Sequence, residues 1–348
     1  MKKTLLNTTI IFVSTCFAAH ANTTPYVYGN TISAHNISII QRKITQSVFD
    51  NYSHKTKHSR TIKKTNQDIN LYGRAPMYGT MPMYGEYNDD GRNGGDYPIP
   101  VDALWTKWQH INDNIKLDNL APVHSDIDII TIGLNINSDT YGLIQQTWGL
   151  YTGYTHNQQN IPHPDISAKS NGGYFGFYHN MNKNDFIFNI NANIGLQNTS
   201  SETNDMNCTN FWAGFVIDTG YKISLDSTFY LYPRLHTGYT WITSDSPLTN
   251  LRISNFNMFE ITPGIDFVKH VTNSWYGKLG VQYIITMTNG GDITYIGKDI
   301  PELNYGNYFE YGISLSKSVS NMTFSANIGR HDGARYGWFG GIKSKYIF

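Results

Sequence analysis

Cysteine is almost absent from this chain. Of its two cysteines, Cys16 falls in the N-terminal apolar run and Cys208 stands alone downstream, so a chain processed after residue 21 cannot be held by an internal disulfide. Charge of either sign is also scarce: 26 basic residues balance 26 acidic ones, and all charged residues make up 15 % of the sequence. That balance lacks the basic surplus by which a nucleic-acid-binding protein neutralises phosphate, so no nucleic-acid partner is expected. Beyond the first twenty residues there is no apolar run of transmembrane-helix length. This excludes a helical membrane protein but not a membrane barrel, whose strands meet lipid at every second residue only. Gly-x-Ser-x-Gly, His-Glu-x-x-His, Cys-x-x-Cys and phosphate-binding glycine loops are all missing, so neither an enzyme nor a cofactor is expected. No repeat is long enough to stack into a solenoid.

What is present begins with an export signal. Lys2 and Lys3 precede an apolar stretch from Leu5 to Phe17, followed by Ala19-His20-Ala21, an Ala-x-Ala processing site. Residues 1–21 therefore read as a cleaved signal peptide. In residues 22–101, Ala34, Ile37, Ile40, Ile44 and Val48 fall at helical spacing, with Ser33, Gln41, Arg42, Lys43 and Gln46 elsewhere around the helix. The predicted helix runs over about 32–52. A low-complexity, flexible linker follows, basic at first, then carrying three Tyr-Gly steps and the run Asn88 to Asp96. That Asp/Gly run lacks the spacing of a calcium loop.

From residue 102 the chain alternates in twos. Phe186, Phe188, Ile190, Ala192, Ile194 and Leu196 share one face, and Asn189, Asn191, Asn193 and Gly195 the other. A strand so patterned has one oily and one wet surface. Strands are predicted near 102–110, 127–137, 143–155, 172–181, 185–197, 208–222, 227–242, 255–269, 274–287, 306–318, 321–330 and 336–348. Twelve is an even number, and these lengths suit tilted membrane strands. Short connections alternate with generally longer ones, which places both termini of the barrel on the side of the short turns. The fold class expected is all-β: an antiparallel twelve-stranded transmembrane β-barrel with an N-terminal amphipathic helix and a flexible linker. Charge on the lipid face is costly, so Arg234, His236, Glu260, Asp266, Lys278 and Glu310, on the wet faces of their strands, are expected to face the lumen. Their mixed signs point to salt-bridged packing rather than ion selection.

His163 with Asp165, and His331 with Asp332, fall in predicted outer loops; such pairs serve acid–base chemistry in some sites, and the solvated reading is preferred for both. Asn112-Asp113-Asn114 is placed after the first strand, and no self-cleavage is assigned to it.

The last strand puts Tyr336, Trp338, Ile342, Tyr346 and Phe348 on one face and stops on the aromatic residue. Together with the opening Ala103-Leu104-Trp105-Thr106-Lys107-Trp108 and the count of twelve, this close resembles the autotransporter translocator domain of type V secretion over residues 102–348. The resemblance implies an outer-membrane location in a Gram-negative bacterium. It also implies lipid contact and insertion by the barrel-assembly machinery, which would read Phe348, Tyr346 and Ile342; Ser344 departs from that signal at a position usually apolar. It further implies that Ile37, Ile40, Ile44 and Val48 belong to a helix in the barrel lumen. The function expected is a translocator exporting or displaying its own short N-terminal segment, with no large passenger. The alternatives are a surface adhesin or structural barrel acting on a host or neighbouring cell through its outer loops, and a passive porin.

Overall fold

The computed structural model describes residues 32–33, 36–46, 48, 103–116, 122–141, 144–162, 165–201, 207–245, 251–253, 255–272, 274–290, 293–295, 298–300 and 306–348. The predicted signal peptide, the linker and the last residues of the predicted helix lie outside them. Helix α1 comprises the helical residues 32–33, 36–46 and 48. The strands follow as β1 (Ala103–Ile115), β2 (Val123–Tyr141), β3 (Ile144–Pro162), β4 (Asp165–Lys183), β5 (Phe186–Ser201), β6 (Asn207–Tyr221), β7 (Ile223–Ser224) and β8 (Phe229–Asp245). After them come β9 (Leu251–Ile253), β10 (Phe256–His270), β11 (Trp275–Gly290), β12 (Ile293–Tyr295), β13 (Lys298–Ile300), β14 (Tyr308–Val319), β15 (Met322–Gly333) and β16 (Arg335–Ile347).

Twelve of these strands form one closed antiparallel barrel in the order β1, β2, β3, β4, β5, β6, β8, β10, β11, β14, β15, β16. It closes where β1, already paired to β2, also pairs with β16: Trp108 lies between Ile130 and Ile342. The three short strands β9, β12 and β13 make a small separate sheet, and β7 adds to the end of β8. Each predicted strand corresponds to one barrel strand.

The correction concerns where strands stop. β1 reaches Ile115 and β2 begins at Val123, while β3 and β4 meet across Pro162 and Asp165. Much of the predicted long loops 111–126 and 156–171 is therefore hairpin. The physical reason is visible on the outer surface. Trp108, Ile130 and Tyr154 lie side by side in register, and the next outward row is His110, Asp128 and His156. The sheet continues past the level where its outward face turns polar, so the apolar alternation that marks a membrane strand ends before the hydrogen-bonded ladder does.

Below that level the outward face is apolar all round: Ile132, Leu134, Phe175, Ile194, Leu196, Phe215, Leu279, Ile313, Leu315 and Ile328 are among its exposed side chains. Aromatic residues flank this belt, with Trp148, Phe186, Tyr221 and Phe348 toward the short connections and Tyr154, Phe309 and Trp338 toward the long ones. Such a surface is stable against lipid and not against water. No described helix is long and apolar enough to cross a membrane; the outward apolar belt is carried by strands. Inside, Tyr178, Tyr174 and Tyr151 lie over Gly149, Gly153 and Gly176 of neighbouring strands, where any Cβ would collide with the phenol ring. Glycine at these positions lets large rings lie flat along the wall and leaves room at the centre.

Candidate functional site: a helix held in the barrel lumen

That room is occupied by α1. Every described side chain of the helix except Gln46 is buried, polar residues as completely as apolar ones: Ile32, Ile44 and Val48 are 0 % exposed, Arg42 and Lys43 1 %. A helix buried all round normally has an apolar circumference. Here the lumen supplies both kinds of surface. Ile37, Ile40, Ile44 and Val48 join the buried cluster that includes Trp105, Tyr151, Tyr174, Tyr178 and Trp212. Arg42 and Lys43 instead meet carboxylates.

The polar contacts run in sequence down the helix. Ser33 bonds Ser170 of β4 and accepts from Gln159 of β3, and Asn36 donates to Ser125 of β2 and accepts from Arg335 of β16. These wall residues lie toward the long-connection ends of their strands. Farther along, Gln41 bonds Thr240 of β8 and passes over Gly214, where a Cβ would strike its amide. Arg42 donates to Glu260 at 2.9 Å, to the Tyr308 hydroxyl at 2.6 Å and to Glu310 at 3.4 Å. Lys43 donates to the other oxygen of Glu310 at 2.6 Å and lies 3.6 Å over the Phe339 ring. The helix thus points its N-terminal end toward the long connections.

Glu310 also faces His331, whose Nε2 lies 2.9 Å away, while Nδ1 of the same ring is 2.9 Å from Asp113. Arg335 donates to Asp113 at 3.0 Å. A second group continues along the wall. Arg234 bridges Asp218 at 3.1 Å and Asp266 at 3.2 Å; Lys278 lies 3.7 Å from Asp266; His236 stands 3.7 Å from Glu260. Arg234, His236, Glu260, Asp266 and Glu310 are all buried on the inward face, with Lys278 half-buried beside them. Stripping water from so many charges is favourable only when they are paired: Arg42, Lys43, Arg234 and Arg335 each hydrogen-bond a carboxylate, while Lys278 and His236 lie 3.7 Å from theirs.

Several members escaped sequence reasoning. Asp113 lies in β1 rather than beyond it, sharing an inward face with Ile111 and Ile115. His331 is in β15, fully buried, whereas Asp332 faces out and bonds Arg330 and Tyr311. The two therefore point to opposite sides of the wall and form no pair at a rim. His163 and the side chain of Asp165 lie outside what is described. Arg42 and Lys43 were visible only as the polar side of an amphipathic helix; the signal that would have marked them is the pair of inward glutamates, Glu260 and Glu310, across the lumen. Among the described residues no three metal-ligating side chains gather into a metal site.

At the seam, Ile342 and Phe348 are each 59 % exposed on the outward face, and Tyr346 packs edge-on against Phe348 with ring centroids 5.1 Å apart. Ser344 shares that face, its hydroxyl 2.9 Å from that of Thr106 on β1.

No family model and no curated protein matches the sequence. Solved structures do match the architecture. The β domain of the Bordetella autotransporter BrkA aligns over 72 % of this chain and 100 % of its own, at 11 % identity and a TM-score of 0.56. The transport unit of the autotransporter AIDA-I from Escherichia coli aligns over 76 % of this chain and 94 % of its own, at 13 % identity and 0.56. The translocator domain of autotransporter NalP from Neisseria meningitidis covers 71 % and 89 %, at 11 % identity and 0.51. The fold of this chain, a closed twelve-stranded outer-membrane barrel, is that of the autotransporter translocator domain.

Proposed function

We propose that this barrel works as a translocator in the outer membrane of a Gram-negative bacterium, carrying the short segment that precedes α1 to the outside. The observation that carries the reading is the direction of α1. Ser33 and Asn36 bond to wall residues toward the long connections, and Lys43 lies deeper beside Glu310 and Phe339. In outer-membrane barrels the long connections face outward. The chain before residue 32 then leaves the lumen on the outer side, while the chain after α1 must return to Ala103, at the short-connection end of β1. This divides the N-terminal region in two: residues 22–31 are displayed, and the linker before β1 belongs to the periplasmic side. The work is passive, driven by folding and by assembly of the barrel. Insertion by the barrel-assembly machinery agrees with the outward placement of Ile342, Tyr346 and Phe348 on the closing strand.

The adhesin alternative draws on one feature, the 19-residue strands β2, β3 and β4, whose long-connection ends, with the β3–β4 hairpin, stand above the apolar belt. A diffusion channel is disfavoured by a lumen holding α1.

The test places one epitope between residues 22 and 31 and another near residue 85, each in the full chain, and measures antibody binding on intact cells. The first should be reached from outside and the second only after the outer membrane is opened. An inaccessible first epitope in a correctly folded barrel would end the translocator reading.

A further inference from the structure

A lysine beside lipid keeps its charge hydrated only by reaching the headgroup layer. Among the described residues three lysines stand on the outward face within two residues of the short-connection end of a strand: Lys183 on β4, Lys269 on β10 and Lys317 on β14. Lys183 is a single cation, set between Ile144 of β3 and Phe186 of β5. The other two flank one strand. Lys317 lies opposite Trp275, the first residue of β11, and Lys269 lies opposite Gly277, the next outward residue of that strand. Two strand spacings and two residues separate the lysines, about 12 Å between Cα atoms, a gap that two lysine side chains can close on one group between them.

The ground between them is a notch. A Cβ at Gly277 would meet nothing nearer than the Ser314 carbonyl oxygen, 3.9 Å away, so β11 presents bare backbone there with open space outside it. Apolar side chains rim the notch: Trp275 and Leu279 along β11, Phe267 on β10 and Leu315 on β14. Phe267 is stacked with Phe229, and Leu279 and Leu315 are exposed on the outward face. Both lysines are steadied at the edge of this surface. Lys269 Nζ donates to the Thr228 hydroxyl at 2.9 Å and lies 3.6 Å from Asp226, yet its side chain stays 54 % exposed. Lys317 Nζ lies 4.9 Å over the Trp275 ring. The one carboxylate beside them, Asp226, is engaged by the Thr228 and Phe229 N–H groups, and two lysines against it leave the patch net positive. A phospholipid has the same division, with charge at one level and hydrocarbon against the apolar belt. A headgroup with its own ammonium would press that cation against the lysines, so the charges favour one that carries the phosphate alone.

We propose that the notch at Gly277 holds one anionic glycerophospholipid of the periplasmic leaflet, its phosphate between Lys269 and Lys317 and an acyl chain along Gly277 and Leu279. The site rests on the barrel lying in the outer membrane with its short connections in the periplasm. It is independent of what the lumen carries.

The test refolds the full chain into nanodiscs of phosphatidylethanolamine and phosphatidylglycerol in equal amounts and counts by native mass spectrometry the lipids each barrel keeps. The unaltered barrel is expected to keep one phosphatidylglycerol in preference to phosphatidylethanolamine. That preference should fall about fivefold with Lys269→Gln or with Lys317→Gln and vanish when both are changed. Lys183→Gln should leave it intact. Gly277→Leu, which fills the notch and keeps both lysines, should abolish it. Heat-modifiable mobility checks that each variant is folded; should the double variant fail, Lys317→Gln alone, which gives up its contact with Trp275, carries the comparison. Equal retention of the two lipids by the unaltered barrel would overturn the site. So would a preference that survives the folded lysine variants or Gly277→Leu, or an equal loss in Lys183→Gln. A chain that forms no heat-modifiable barrel in any bilayer removes the membrane reading as well.

Discussion

Glu310 shows how much can depend on one residue. A single carboxylate, nearly fully buried, faces Lys43, Arg42 and His331, and so ties α1 to β14 and β15 at once. Removing one member of such a group leaves buried charge uncompensated, which costs about 3–5 kcal/mol. Glu310→Gln is therefore expected to lower the unfolding free energy of the lipid-reconstituted barrel by about that amount, read from its urea transition. Combined with Lys43→Met it should cost less than the sum of the single changes, a non-additivity that a double-mutant cycle would measure. Ser344 teaches the same lesson on the lipid side. By sequence alone it looked like a weak point in an apolar face, yet its hydroxyl is paired with that of Thr106. Ser344→Ala alone orphans Thr106 and should cost about 1 kcal/mol, whereas Ser344→Ala with Thr106→Val should be close to neutral in the same unfolding assay. The position of Ser344 was legible; its partner, more than two hundred residues away, was not.

Among the elements, the centres of the strands were legible and their ends were not. Period-2 alternation arises only where one face meets lipid and the other the lumen, so it locates the twelve crossings and falls silent at His110, Asp128 and His156, where the outward face turns polar while Ile111 and Ile127 still face inward. Turn geometry lies beyond the pattern as well. Ser320 opens the two-residue turn between β14 and β15 with φ at 52°, a left-handed conformation that glycine adopts without strain. Ser320→Gly should raise stability by about 0.5–1 kcal/mol, read as a later loss of the heat-resistant folded band. In the connection before β8, Asp226 accepts from the Thr228 N–H at 2.6 Å, from its hydroxyl, and from the Phe229 N–H at 2.7 Å. These bonds, those of Thr228 foremost, draw its carboxyl down from 3.8 to about 2. A depressed carboxyl stabilises the turn fully above the unfolded value and loses that contribution as pH falls toward the folded one. The Asp226 resonance in a carboxyl-labelled sample should therefore titrate near pH 2; a midpoint near 3.8 would mean that the turn bonds are not formed.

Across the whole molecule the decisive relation is that between α1 and the barrel. Deleting residues 32–48 should convert a silent barrel into one that conducts in a planar bilayer. Unchanged, negligible conductance in a properly folded deletion variant would show that α1 is not what fills the lumen. The sequence by itself determined the number of strands, the faces they show to lipid, the terminal aromatic strand and the helical spacing of Ile37, Ile40, Ile44 and Val48, since each follows from local periodicity and from the cost of exposing the wrong surface. Only the tertiary structure decided which charges meet. It alone decided which way α1 points, because those depend on the stagger of twelve strands around a closed ring, where partners such as Asp113 and His331 are brought together by closure and not by any pattern along the chain.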